Sequence, residues 1–220
     1  MHLDQLDNSA INQRLQREHP ADAIHEKPLP GLAGKPTPAA VLLPLFRHQN
    51  QWHVLYIRRA VNHGDRHSGE VAFPGGRVEP DDRHTVAAAL REAQEEISLQ
   101  PQHVELLGQL PSFCTSSNYL VTPVVARVPW PAPLKPDARE VARIFSIPLA
   151  WLADSGNYEV RPWRPPGYKV SREVIFFREY DGERLWGVSA RITLSLLQVL
   201  SSPERDEQSG MQNYLVPDSA

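Results

Sequence analysis

A chain of 220 residues, 41% hydrophobic and 22% charged, can bury a sizeable core and fits one domain with an appendage. Its formal net charge of −3, with no basic block to track a phosphate backbone, argues against nucleic acid as a partner. The single cysteine, Cys114, excludes an internal disulfide, and with no apolar run of ~18–20 residues and no apolar leader the expectation is a cytoplasmic protein without a membrane partner.

In chain order, Leu3, Leu6, Ile11 and Leu15 form an uneven helical stripe that Pro20 ends. The Pro- and Gly-rich run from Glu26 to Pro38 follows, so residues 1–38 read as a short helix and an extended arm. The arm is expected to support the main domain or a dimer contact, with a disordered tail as the alternative. Ala39 to Phe46 reads as a buried strand in which Pro44 favours an edge or a bulge. Trp52 to Arg59 follows the polar turn RHQNQ, which makes the pair a hairpin. Ala60 to Glu70 is a polar loop, and Val71 to Phe73 a short strand leading into Pro74-Gly75-Gly76.

From Thr85 the period becomes 3.6, with Val86, Leu90, Ala93 and Ile97 as the apolar stripe. Val104–Leu110 and Tyr119–Val128 read as strands around a loop, PSFCTSSN. Glu140–Ile147 is a predicted strand, and PLAWLADS a short helix with Pro148 in its first turn. Asn157–Lys169 reads as irregular, whereas EVIFFREYDGERLWGV has the form of two strands about an Asp181-Gly182 turn. A helix from about Ser189 to Leu200 turns Ile192, Leu196, Val199 and Leu200 inward, and residues 201–220 read as a tail. Mixed strands with one central helix and another near the end point to an α/β or α+β sandwich, not to repeated strand–helix units.

The central helix carries an unusual face. At about 100° per residue, Glu92, Glu95 and Glu96 share an arc away from the apolar stripe, with Arg91 at its border. Like charges so spaced repel. A solvated polar face is one explanation. The other is a hard divalent cation, which takes carboxylate and phosphate oxygens and offsets the repulsion. Gly75 and Gly76 would let backbone groups approach the same ion or phosphate closely.

Taken in order, the glycine turn, acidic loop and REAQEE helix resemble the Nudix box. Gly76 matches its first glycine, Asp82 stands at the next acidic position, and Arg91, Glu92, Glu95 and Glu96 match its Arg-Glu and paired glutamates. Ala93 and Leu99 take aliphatic positions, and Ser98 replaces the late glycine. Eight residues, not seven, separate Asp82 from Arg91, a spacing that resembles the coenzyme A diphosphatase branch. LYIRR, SGEVAFPGG, YLVTPVV and the later EVARIFSIPLAWL and LWGVSARITLSLL are also similar to that branch. One difference is Asp65, where the branch places an arginine.

The resemblance implies a Nudix-like α/β/α sandwich with a mixed central sheet over residues 39–200. It implies Mg²⁺- or Mn²⁺-dependent hydrolysis of coenzyme A or acyl-CoA to 3',5'-ADP and (acyl-)4'-phosphopantetheine. Cleavage of ADP-ribose or another nucleoside diphosphate derivative is an alternative, and a non-hydrolytic nucleotide-binding regulator is a second. The expected metal ligands are Glu92, Glu95 and Glu96, with a Gly75 or Gly76 carbonyl in support. Arg91 is expected to orient a glutamate and tie helix to loop, and Asp82 to hold the loop or a water. The base is open between Glu95 and Glu140, with Glu70 a lesser option. Arg58, Arg59 and Arg66 are candidates for the substrate phosphates, because guanidinium groups favour paired bonds to such oxygens.

Overall fold

The structure, a computed structural model, describes residues 3–17, 34–62, 67–164, 169 and 171–202. Arg66, with its neighbours His63 and Asp65, lies outside the described residues, as do residues 203–220 of the expected tail.

A 3₁₀ turn at Leu3–Gln5 leads into helix α1, Asn8–Gln16, whose N-cap Asp7 accepts from the Ala10 N–H at 2.8 Å. Strands β1 (Thr37–His48) and β2 (Gln51–Arg59) form the expected hairpin, with Gln49 and Asn50 both at positive φ in the turn. Short strands β3 (Val71–Ala72) and β4 (Gly75–Arg77) then precede helix α2, Thr85–Ile97. Strands β5 (Glu105–Gln109), β6 (Phe113–Cys114) and β7 (Tyr119–Arg127) follow. The rest comprises β8 (Val141–Pro148), α3 (Leu149–Ala153), β9 (Tyr158–Trp163), β10 (Arg172–Tyr180), β11 (Glu183–Trp186) and α4 (Gly187–Ser201).

The main sheet runs β3-β2-β1-β7-β5, with β4 on β1, β6 on β7 and β8 on β2. It is mixed, because β1 and β7 are parallel while its other pairs are antiparallel. Alternation along β1 sends Leu42 towards α2 and Leu43 towards the opposite layer, where α1, α3 and α4 contribute. This is the α/β/α sandwich expected from the sequence. A second sheet, β11-β10-β9, lies beside it.

Several local expectations change. Pro44 sits inside the sheet, not at an edge. It falls between the last pairing of β1 with β4, at Val41, and the first with β2, at Leu45, so its missing N–H is not needed there. The supposedly irregular Asn157–Lys169 contains β9, which β10 organises by pairing from Tyr158 to Trp163. The PSFCTSSN loop contains β6, and Pro148 caps α3 instead of entering its first turn. On α2, Val86 and Leu90 are only half-buried, and the closest approach to the sheet uses Ala88, Ala89 and Ala93.

The apolar stripe of the N-terminal segment is buried in this chain's own core. Asn12 donates to the Leu107 carbonyl of edge strand β5 at 2.6 Å, Trp52 Nε1 donates to the Leu6 carbonyl at 2.9 Å, and buried Arg14 donates to the Leu200 carbonyl. Covering β5 in this way also shields an edge that would otherwise invite another strand. Ile11 is 0% exposed, so Ile11→Ala is expected to cost about 2–5 kcal/mol through lost burial and a residual cavity. Urea unfolding measures this, and a change below about 1 kcal/mol would show that α1 is a detachable appendage.

Candidate active site

Helix α2 brings the acidic residues to the glycine strand β4 because its sheet-facing side is built from alanine. His84 caps the helix start, its Nδ1 accepting from the Ala87 N–H at 3.1 Å. At the other end Ser98 adopts φ 58°, the left-handed conformation that glycine would take without strain. Its Oγ donates to the Lys135 carbonyl at 3.1 Å, while the Lys135 and Asp137 amides donate to the Ile97 and Glu96 carbonyls. Serine thus keeps the helix cap, and the proline-rich segment after β7 closes the helix end.

Arg91 is the hub of the polar side. Its guanidinium donates to both Asp82 oxygens, at 3.2 and 3.0 Å, and to Glu92 Oε1 at 2.9 Å. It also reaches Glu95 Oε2 at 3.3 Å and the Arg77 carbonyl at 3.0 Å. One cation therefore joins α2 to the loop and to β4. Hydrogen bonding to Arg91 holds the Asp82 carboxyl below its usual range, and Asp82 in turn raises Arg91 above its own.

Glu92 lies flat against Gly76. A β-carbon there would fall 2.6 Å from Glu92 Cδ, so only glycine leaves room for this carboxylate. Burial raises the Glu92 carboxyl despite the opposing effect of Arg91. Glu96 is deeper, at 2% exposed, and its Oε2 accepts from the Gly75 N–H at 2.9 Å. The nearest cation in an ion pair with it is Arg59, 3.9 Å away. Burial pushes the Glu96 carboxyl up to about 8, against the Gly75 bond and Arg59, while Glu92 and Glu140 push it further up.

This corrects the expected polar arc. Glu95 alone is well exposed, whereas Glu96 belongs to the buried face of α2. Among the described residues no group of three or more His, Cys, Asp or Glu side chains forms a ready metal cage. The donor chemistry nevertheless fits a hard cation. Glu96 carries a buried carboxyl compensated by the Gly75 amide and an arginine 3.9 Å away, and the bare α-carbon of Gly76 leaves Glu92 beside the same strand.

The other candidates divide. Arg59 lies beside Glu96, but its neighbour Arg58 points the other way and pairs with buried Glu183 at 3.5 Å, which Arg143 also contacts at 3.1 Å. Glu140 is exposed, and its carbonyl accepts from Ala60 N–H at 2.7 Å; its charge is felt at both Glu92 and Glu96. Glu70 is paired to His67 at 2.9 Å, and its carbonyl accepts from the Arg59 N–H. A contact absent from the sequence reading is Arg77, whose guanidinium lies 5.6 Å from the Tyr119 ring centre and donates to its hydroxyl at 2.9 Å. Its place directly after Gly76 was the available signal.

The buried Glu96 carboxyl gives a pH prediction. In the metal-free fold it holds its proton up to about 8, whereas in the unfolded chain it releases it near 4.5. Between those values the folded state binds the extra proton, so this group's contribution to stability is lost as pH rises. Metal-free wild type should therefore lose more thermal stability than Glu96→Gln between pH 5 and pH 8. Parallel melting profiles of the two proteins would refute this.

The residues 35–166 match a family model described as the NUDIX domain. The chain is 35% identical over 163 residues to an uncharacterised Nudix hydrolase, NudL, of Yersinia pestis (strain Pestoides F), covering 74% of this chain and 79% of that relative. The same figures hold for NudL of Yersinia pseudotuberculosis serotype O:1b (strain IP 31758). Among solved structures, a MutT/nudix family protein from Enterococcus faecalis covers 89% of this chain and 80% of its own at 18% identity and a TM-score of 0.47. The NUDIX domain of Shewanella oneidensis NrtR, complexed with ADP ribose, covers 60% and 85% at 18% identity and a TM-score of 0.42. At such scores the structural likenesses carry no statement about substrate.

Proposed function

We propose, for a chain that belongs to the Nudix hydrolase family on the matching domain and the Yersinia relatives, that α2 and the glycine strand serve hydrolysis of a nucleoside diphosphate linked to another group. The observation that carries this reading is the buried Glu96 carboxylate against the Gly75 amide, with Glu92 packed on Gly76.

Glu92, Glu95 and Glu96, with the Gly76 carbonyl, are the groups that would hold Mg²⁺ or Mn²⁺. When bound, such an ion supplies the positive charge that lets a nucleophile approach a diphosphate. The remaining work falls to the chain. Arg91 keeps Glu92 and Glu95 oriented and fixes α2 to the Asp82 loop. Water attacks phosphorus, the bridging P–O bond breaks, and the water's proton passes to a carboxylate. Exposed Glu95 and Glu140 are the candidates for that base, and Arg59 is placed to meet substrate phosphate beside Glu96.

The broader substrate class, ADP-ribose or another nucleoside diphosphate derivative, is the reading we favour. Coenzyme A or its thioesters is the narrower one, resting on the upstream sequence resemblance and the eight-residue spacing before Arg91. Of the arginines assigned to its phosphates, Arg58 is engaged by Glu183 and Arg66 lies outside the described residues. No helix among the described residues is long and apolar enough to cross a membrane.

A substrate panel tests the function: coenzyme A, ADP-ribose, NADH and diadenosine polyphosphates, each with Mg²⁺ and with Mn²⁺. Metal-dependent cleavage of at least one is expected. Preference for a substrate without pantetheine would discard the coenzyme A reading. Binding without product across the panel would leave a nucleotide-binding regulator.

A further inference from the structure

Among the described residues, exposed Leu106 and Val160 each lie on an edge strand, β5 and β9. The edge of β5 is already met by α1, through Asn12. Strand β9 pairs with β10 alone among the described residues. Val160 is 54% exposed although it belongs to the inward face of its sheet. It pairs with Ile175, which packs against the core together with Tyr158 and Phe177 of the same face. The inward face therefore runs one strand past the core that covers it.

The outward face of β9 holds Glu159 and Arg161, 3.4 Å apart and both exposed, with the Arg161 guanidinium kept on that face by the Phe176 ring at 4.1 Å. An edge guarded against pairing shows charges of one sign, commonly lysine, or a charge that points inward. Here the inward residue is valine and the two outward charges are opposite. Pro162 lacks an N–H and shortens any ladder on this edge without closing it. Let an identical strand approach antiparallel, with Val160 opposite Val160 on a two-fold axis. Glu159 of each copy then faces Arg161 of the other. The four charges alternate in sign around a rectangle of about 5 by 7 Å, so each has opposite charge on both near neighbours. The strand is its own complement.

We propose that β9 pairs with β9 of a second copy of this chain, joining the two three-stranded sheets into one across a two-fold axis. Main-chain hydrogen bonds supply the attraction, Val160 is buried against Val160, and the Glu159–Arg161 rectangle fixes the register. A strand of six residues makes a small interface, below ~1,200 Å², so the dimer belongs to the weak and reversible class. The stripe of α1, the sequence's own candidate for a dimer contact, takes no part, because it lies in this chain's core. None of this depends on the hydrolase reading.

Sedimentation velocity of the full chain, over a concentration series reaching about 0.5 mM, tests this pairing. A monomer–dimer equilibrium is expected. Glu159→Arg and Arg161→Glu each set like charges opposite one another and should weaken the dimer about tenfold or more. An equimolar mixture of the two variants should restore it, since one edge is then wholly positive and the other wholly negative. Val160→Asp should weaken the dimer as strongly without touching the contact between Arg161 and Phe176, which keeps the test open if Arg161→Glu fails to fold. All three side chains are exposed, so melting temperatures of dilute samples should stay near wild type and separate lost pairing from lost fold. A chain that remains monomeric throughout, as a segment of the same chain lying on β9 would make it, overturns the proposal. So does a dimer untouched by the charge reversals and by Val160→Asp, or one weakened by both reversals and not restored by mixing.

Discussion

Glu96→Gln is expected to fold normally and to lose about 10²-fold or more in turnover. Glutamine keeps the size of the side chain, and its amide oxygen can still accept from the Gly75 N–H that Glu96 now engages at 2.9 Å. What disappears is the negative charge that a hard cation needs. In the metal-free protein the substitution should be neutral or slightly stabilising at pH 8. It removes a buried charge that desolvation, Glu92 and Glu140 all disfavour. Mg²⁺ should then raise the melting temperature of the variant less than that of wild type. Glu105→Gln serves as the control, because Glu105 is an exposed partner of Asn8 and Arg127 on β5. Wild-type turnover together with a wild-type Mg²⁺ shift would remove Glu96 from the metal site. A large loss of turnover with an unchanged shift would instead assign it to proton transfer or water orientation.

Gly75→Ala should be the most damaging single change to the fold in this region, by about 3 kcal/mol or more. A β-carbon at Gly75 would fall 2.6 Å from Val41 Cα and collide with the Ala40 carbonyl oxygen. Both obstacles are backbone, and β1 is held from the other side by its parallel pairing with β7. Neither can swing away. Gly76→Ala provides the contrast, since the atoms nearest its β-carbon are those of the Glu92 carboxylate, the end of a side chain that can rotate. That variant should stay folded, displace Glu92 and lose activity. Urea midpoints and Mg²⁺-dependent rates of the two variants separate the roles. Stability of Gly75→Ala within about 1 kcal/mol of wild type would show that β1 and β4 part more easily than their contact implies.

Local patterns made much of this protein readable. The apolar run within Trp52–Arg59, the polar turn before it and the Asp181-Gly182 turn specify hairpins within a few residues, and both hairpins are present. The 3.6-residue period from Thr85 located α2, because helix propensity and amphipathicity act over one or two turns. The same locality made the glycine-to-glutamate spacing visible, and with it the family.

Tertiary packing decided the rest. An arc drawn on an isolated helix put Glu96 with the solvated carboxylates, yet the close approach of α2 through Ala89 and Ala93 buries it against the Gly75 amide. Arg58 and Arg59 are indistinguishable by composition, but adjacent strand residues face opposite sides of the sheet. Only the packing of α2 on one side and β11 on the other sends Arg59 to Glu96 and Arg58 to Glu183. Tyr158–Trp163 became a strand because β10 supplied its partner, although Pro162 and the proline-rich run that follows cut its Tyr-Glu-Val-Arg alternation short in the sequence. Helix starts, turns and motif spacing are encoded among near neighbours along the chain, so the sequence alone determined them. Which carboxylate is buried, and which arginine faces it, depend on contacts between residues far apart in sequence, and these exist only once the layers have packed.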